Sequence, residues 1–237
     1  MENSSLFIFQ IIVALSCTVL AFRLGRSWLI ALIAVQTVIM NIFVLKMMNV
    51  FSLEVTGGNV LYASIFLGTD LLCEHYGREK ARQAVWIGFS AAVFFIIMSQ
   101  FIIWYTPSQL ENGAFLHNTL TTIFETTPRI VLASMGGYLL SQHLDIYIYT
   151  RIKKRTGDKY LWLRNNGSTL VSQFIDSIFF TFVGLYGIVA NAQNVWHIII
   201  FTYLIKVLIA LLDTPFMYLS KMWPIRPHYK NENPPKD

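Results

Sequence analysis

Residues Val195–Leu219 read VWHIIIFTYLIKVLIALLDTPFMYL, a run whose only formal charges are Lys206 and Asp213. At about 1.5 Å per residue such a helix outspans a ~30 Å hydrocarbon core. Six more apolar stretches precede it: Leu6 to Phe22, Trp28 to Leu45, Val60 to Leu72, Val85 to Tyr105, Ile130 to Tyr149 and Thr169 to Ala190. The 237 residues are 55% hydrophobic and 13% charged, against about 25% charged in soluble domains, so a single water-soluble globule is excluded. The expected fold class is an all-α polytopic membrane protein with seven spans. The third stretch is short for a span and ends in Thr69, Asp70 and Glu74, which leaves it open to being broken, tilted or re-entrant.

The basic residues test this map, because Lys and Arg gather in cytoplasmic loops. With the N-terminus outside and the C-terminus in the cytoplasm, the inner loops and tail hold Arg23, Arg26, Arg78, Lys80, Arg82, Arg151, Lys153, Lys154, Arg155, Lys159, Arg164, Lys221, Arg226, Lys230 and Lys236. Only Lys46, Arg129 and Lys206 lie elsewhere. Deleting the third span would place Arg23 and Arg26 opposite the other inner loops. The same bias explains the basic loop Arg151 to Arg164 as an orienting, headgroup-facing segment with Tyr160 and Trp162 as anchors, not as a reader of nucleic acid. The first span lacks a basic start and a small-residue cleavage site, so it is not a cleavable signal. The tail from Pro224 to Asp237 reads as a disordered cytoplasmic end. Cys17 and Cys73 form no disulfide framework, and no metal-ligand set or cofactor motif is present.

Ionised groups inside spans cost roughly 2.5–3.5 kcal/mol each even on lenient scales, so each needs a reason. Asp70 and Glu74, at helical i, i+4 spacing, share a face of the third span, and Asp145, Asp176 and Asp213 lie in the fifth, sixth and seventh. Counted from the cytoplasmic ends, Asp70, Asp145 and Asp213 fall about 8 to 9 Å deep and Asp176 about 12 Å. A common depth on four helices is expected of groups lining one chamber in the inner half. The motif Ser-Gln-x-x-Asp-x-x-x-x-Thr occurs twice, from Ser141 to Thr150 and from Ser172 to Thr181, either by duplication or by coincidence. Its Gln142–Asp145 and Gln173–Asp176 pairs each sit on one helix face and converge if the helices run antiparallel.

Carboxylates beside amides suit a flat heterocycle with adjacent N–H and amino groups, a guanine-like edge. Tyr62, Phe66, Trp86 and Phe174 could stack on such a ring, although packing or interface anchoring explains most membrane aromatics. Lys206 lies near mid-helix, where it should pair with an aspartate. Arg129 follows Pro128 and reads as an outer anchor or a ligand. Gln36 and Asn41 read equally as interhelical glue or site residues, and His143 as an interfacial histidine. Gly136-Gly137 and Gly184 to Gly187 allow close helix approach.

Phe66-Leu67-Gly68-Thr69-Asp70 running into Tyr76-Gly77 and Ala81-Arg82, Arg129 with Ala133-Ser134, Gln142-x-x-Asp145, Asn166-Gly167-Ser168-Thr169 with Asp176, and Lys206-Val207 together resemble the bacterial queuosine precursor transporters, the vitamin uptake transporter family. The resemblance spans about residues 28–220. It implies an inner-membrane importer of the 7-deazaguanine bases preQ0 and preQ1 for salvage into tRNA modification, with a six-helix core. The expected organisation is therefore an extra N-terminal helix in 1–27, a transporter core in 28–220 and a tail in 221–237. Asp70, Arg129, Gln142, Asp145, Asp176 and Lys206 carry over as matched positions and Gln173 more loosely, whereas Glu74 and Asp213 have no family counterpart. The aminomethyl cation of preQ1 would pair with Asp70 or Asp145, and the ring edge with Gln173 and Asp176. The expected substrate-binding set is thus Asp70, Glu74, Arg129, Gln142, Asp145, Gln173, Asp176, Lys206, Phe66, Trp86 and Asn41.

No ATP site, nucleophile elbow, zinc-protease signature or intramembrane-protease context is present, so a non-enzymatic carrier is expected. Its energy would come from a proton or from metabolic trapping. A substrate-capture subunit of a multi-component uptake system, an intramembrane hydrolase and a structural scaffold are the rivals. The expected partners are a small base and the lipid bilayer, and a homodimer is open to it.

Overall fold

A computed structural model describes residues 3–44, 46–51, 53–109, 112–125, 128–157, 159–187 and 195–223, without the side chains of 47, 54, 128–131 and 185. Among the described residues eight α-helices carry the fold: α1 (Asn3–Leu24), α2 (Arg26–Phe43), α3 (Gly58–His75), α4 (Arg78–Trp104), α5 (Gly113–Phe124), α6 (Pro128–Thr156), α7 (Leu161–Phe180) and α8 (Val195–Met222). A π-helical turn, Thr181–Leu185, continues α7. The tail 224–237 lies outside the described residues.

Each expected apolar stretch has its helix; α1, α3 and α6 are longer than expected at both ends, whereas α2, α4 and α7 begin and end earlier. Two elements were not foreseen. An antiparallel hairpin, β1 (Met47–Val50) with β2 (Leu53–Thr56), pairs Met47 with Thr56 and Val50 with Leu53 between α2 and α3. The twelve-residue α5 has no buried residue and is too short to span a bilayer.

Among the described residues four helices, α1, α2, α4 and α8, are long and apolar enough to cross a membrane. The other three long helices, α3, α6 and α7, are more polar because they carry buried polar groups: Asp70 on α3, Gln142 and Asp145 on α6, and Asn165, Gln173 and Asp176 on α7. α3 is one uninterrupted helix, so the third stretch is not broken, and it packs against α1, α2, α4, α6 and α8. Its residues from Ser64 to Cys73 are all buried, so Asp70 meets protein and not lipid. Gly77, with φ +87°, takes a conformation that side chains disfavour and turns the chain from α3 into α4.

The distribution of side chains is inverted relative to a soluble protein. Thr18, Gln36, Asp70, Gln142, Asp145, Arg164 and Asp213 are buried, whereas Phe9, Phe94, Phe101, Leu132 and Leu211 lie exposed on the outside. So much outward apolar surface is tolerated where the surroundings are hydrocarbon. Polar side chains then tie helices together from within: Gln36 of α2 donates to Ser64 of α3 at 2.9 Å, and Ser64 and Thr18 of α1 share a hydrogen bond of 2.6 Å. Gln36 is interhelical glue.

Glycines let α6 and the end of α7 approach closely. A Cβ on Gly137 would lie 2.8 Å from Asp176 Oδ1, and one on Gly184 would lie 3.0 Å from Ala133 Cβ. Contacts of Asp145 with Ser172, Gly137 with Asp176 and Ala133 with Gly184 show the two helices antiparallel, so residues 141–150 and 172–181 run past each other.

Candidate functional site

Three polar layers cross the bundle, each a helical turn or so from the next. The first closes the end formed by Tyr76, Gly157 and Lys221. Glu74 of α3 accepts from Arg164 Nε at 3.1 Å and Nη2 at 2.6 Å, and from the Tyr149 hydroxyl at 2.9 Å. Lys153 and Lys221 pair with it at 3.4 and 3.0 Å. Arg164 also donates to the carbonyls of Gly157 and Lys159, both at 2.9 Å. One carboxylate thus joins α3, α6, α7 and α8. Arg164 is fully buried, which corrects its expected place at the headgroups: a guanidinium with a buried carboxylate and two carbonyls to satisfy it has no need to reach water.

The second layer holds Asp70, Asp145 and Asp213, all buried. Asp70 and Asp145 lie within hydrogen-bonding reach of each other, with Asp213 in the same electrostatic neighbourhood. Ser172 donates to Asp145 Oδ1 at 3.1 Å, Asn165 to Asp213 at 2.6 Å, and Thr69 to Gln142 Oε1 at 3.0 Å.

The third layer is built on Asp176. Tyr62 donates to its Oδ1 at 2.8 Å and shares a 2.7 Å hydrogen bond with Ser141, while Lys206 forms an ion pair with Oδ2. Lys206 also sits 5.1 Å from the centre of the Tyr62 ring, and Phe66 packs edge-on against that ring at 5.2 Å. The two copies of the repeated motif therefore interlock: Ser172 of the second reaches Asp145 of the first, and Ser141 of the first reaches Asp176 of the second through Tyr62. Because Ser172 is level with Asp145, Asp176 stands about 6 Å further along α7. Three of the four aspartates share a level, and the fourth sits one turn away with its own cation.

Between the second and third layers lies a cavity of about 10 Å³, lined by Asn59, Tyr62, Thr169, Gln173, Lys206 and Asp213 with Ala63, Ile209 and Ala210. This is room for a single water. Gln173 Oε1 and Thr169 Oγ1 are buried without a hydrogen-bond partner, so the lining carries unused polar capacity.

Of the expected substrate-binding residues, the structure brings Gln173 and Lys206 to this cavity, sets Asp176 against Lys206 and Phe66 against Tyr62 behind its lining, and places Gln142, Asp145 and Asp70 one layer away. Three others lie apart from it. Trp86 is 53% exposed on the bundle surface, packed edge-on against Phe89 and His143, because α4 turns that face outward. Asn41 donates to Thr37 O of its own helix at 2.8 Å and borders a second void of about 10 Å³ with Thr37, Phe89, Ser134 and Tyr138. Glu74 is consumed by its ion network. Phe174 is 43% exposed and packs on Tyr203. His143 is half-buried, its ring held at 2.9 Å from Leu139 O. The Arg129 side chain lies outside the described residues.

Asn165, Thr169 and Ser172 were missed, although the sequence carries a signal for them. Asn165, Thr169, Ser172 and Asp176 fall at intervals of four, three and four, a single stripe along α7. Among the described residues no cluster of three or more His, Cys, Asp or Glu could hold a metal ion.

Residues 56–220 match the family described as "Putative vitamin uptake transporter". The chain is 39% identical over 224 residues, 93% of its length and 96% of the relative's, to the "Probable queuosine precursor transporter" of Bacillus subtilis (strain 168). It is 28% identical over 182 residues, 75% of its length and 77% of the relative's, to the "Queuosine precursor transporter" of Escherichia coli (strain K12). It is also 26% identical over 139 residues, 58% and 55% of the two chains, to the "Probable queuosine precursor transporter" of Haemophilus influenzae (strain ATCC 51907 / DSM 11121 / KW20 / Rd). No solved structure matches. With that match over most of its length, and with polar layers enclosed by an apolar exterior, the chain belongs to the vitamin uptake transporter family and is a membrane transporter, not an enzyme.

Proposed function

We propose that this chain imports the 7-deazaguanine bases preQ0 and preQ1 across a bacterial cytoplasmic membrane by alternating access, supplying salvage for tRNA modification. Seven helices (α1 to α4 and α6 to α8) span the bilayer, with the N-terminus outside. The end carrying Arg78, Lys153, Lys159 and Lys221 faces the cytoplasm, and 1–27, 28–220 and 221–237 serve as added helix, core and tail. The names of the relatives motivate the substrate.

The observation that carries the reading is the cavity between α3, α7 and α8, with polar lining on every helix and a volume of about 10 Å³. Ligand pockets run to about 300–1,000 Å³, so a bicyclic base enters only when these helices separate. A carrier needs such a closed state between its two open ones. The Gln173 amide and the Asp213 carboxylate offer the donor and acceptors that read a guanine-like edge. Tyr62 offers a ring face, and Lys206 holds Asp176 at the wall.

The test is uptake of radiolabelled preQ1 into liposomes containing the purified chain alone, with Gln173→Ala and Asp213→Asn beside the wild type. The expected result is uptake that unlabelled preQ0 inhibits and that each variant lowers at least tenfold. Wild-type uptake by both variants overturns the site. Absence of uptake by the chain alone, restored by a membrane extract, favours the substrate-capture subunit instead.

A further inference from the structure

The cavity does not use the most unusual contact in the bundle. Asp70 of α3 and Asp145 of α6 are both completely buried and within hydrogen-bonding reach of each other. Neither forms an ion pair among the described residues. Four cations of the bundle pair with other carboxylates: Arg164, Lys153 and Lys221 with Glu74, and Lys206 with Asp176. Asp145 accepts from Ser172 at Oδ1, with the Ser168 and Thr169 hydroxyls beside it. Among the described residues no donor hydrogen-bonds its Oδ2 or either oxygen of Asp70.

Two ionised carboxylates in contact repel strongly where no water screens them. One proton placed between them turns the contact into a charge-assisted hydrogen bond, O–H from one carboxyl to the carboxylate of the other. We propose that Asp70 and Asp145 share a single transported proton and form the site through which import is coupled to the proton gradient. This rests on the carrier reading above. The step is balanced simply: the pair takes up one H⁺ from one side of the membrane and releases one H⁺ to the other, and no other bond is made or broken.

The groups facing the pair are Glu74 and Cys73 from α3, Tyr149 from α6, Ser168, Thr169 and Ser172 from α7, and Asp213 from α8. Lys153 of α6 and Arg78 of α4 act on the neighbouring Cys73. Asp213 accepts from Asn165, and Glu74 from Arg164 and Tyr149.

The link to the cavity runs through α7. Thr169 faces Asp145 and also lines the cavity, and Ser172, the hydroxyl donor to Asp145, is followed by Gln173 in the cavity wall. Separating α3 from α6 and α7 to admit a base therefore also parts the two carboxyls and opens the shared proton to exchange.

Infrared spectra of the purified full chain read the proton without any substrate. The expected result is a protonated-carboxyl C=O band that shifts in D₂O and is lost in both Asp70→Asn and Asp145→Asn, because the new amide donates to the remaining carboxylate and makes the proton unnecessary. In liposomes, accumulation of preQ1 under a one-unit pH gradient is expected to fall in each variant from about tenfold, the limit for one proton per base, to none. Asp213→Asn, which disturbs the cavity but not the pair, keeps the band. Absence of the band in folded wild-type protein overturns the proposal, as does accumulation that needs Na⁺ and ignores the pH gradient. If the wild type does not move preQ1, the carrier reading fails on its own, and the band still decides whether the pair holds a proton.

Discussion

Replacing Glu74 by Ala tests how the bundle is held at its basic end. Glu74 and Arg164 side chains are 4% and 0% exposed, whereas Lys153 and Lys221 are 31% and 33% exposed and can turn to water when their partner is removed. The loss therefore falls on Arg164, which gives up two charge-assisted hydrogen bonds, of 3.1 and 2.6 Å, and keeps only the carbonyls of Gly157 and Lys159. At about 1.5–3 kcal/mol per bond to a charged group, the cost is about 3–5 kcal/mol, the range seen when one member of a buried pair is deleted. For a chain of this length that is a Tm roughly 6–20 °C lower, read by thermal unfolding in detergent. Arg164→Met alone is expected to cost a similar amount, and the double variant to recover most of it, because no charge is then left buried without a partner. A fall in Tm below about 2 °C for Glu74→Ala, or additive losses in the double variant, would refute the reasoning.

Three further outcomes follow from the geometry. Gly137→Ala puts a methyl 2.8 Å from Asp176 Oδ1, so it should displace Asp176 from Tyr62 and lower stability by about 1–3 kcal/mol in denaturant titration. Tyr62→Phe strips a buried hydroxyl from both Ser141 and Asp176, and a stability loss of about 1–3 kcal/mol with weaker preQ1 uptake is expected; full uptake would contradict its place in the wall. Trp86→Ala, on the outer face of α4, should leave uptake within about twofold of wild type, and a tenfold loss would bring α4 back into the site.

Much of this was legible in the residues. The long apolar runs gave the helices because only regular backbone survives in lipid, and the cost of burying acids marked Asp70, Asp145, Asp176 and Asp213 as groups that had to find partners. Lys206 at mid-helix announced its pairing with an aspartate. What could not be read was which acid each group would meet. Glu74 and Asp70 share a face of α3 one turn apart, yet one collects four donors and the other collects a carboxyl, a difference fixed by the side chains that α6, α7 and α8 bring to each level. Arg164 looked like a headgroup residue because the basic loop beside it is one, and periodicity alone does not reveal that α7 turns it inward. Trp86 and Phe174 carried the right chemistry for stacking but sit on outward faces, and the short strands and α5 are too brief to leave an apolar pattern. The third span looked weak for a physical reason: a helix surrounded by five others has no lipid face to make apolar.

The central claim is that a base passes through the cavity between α3, α7 and α8. The most direct measurement is a density map of the full chain with preQ1 bound in lipid. The base is expected between the Asp176–Lys206 pair and the Asp70–Asp145 pair, with its edge against Gln173 and Asp213. Density in the void beside Asn41 and Tyr138, or on the outer face of the bundle, would contradict it.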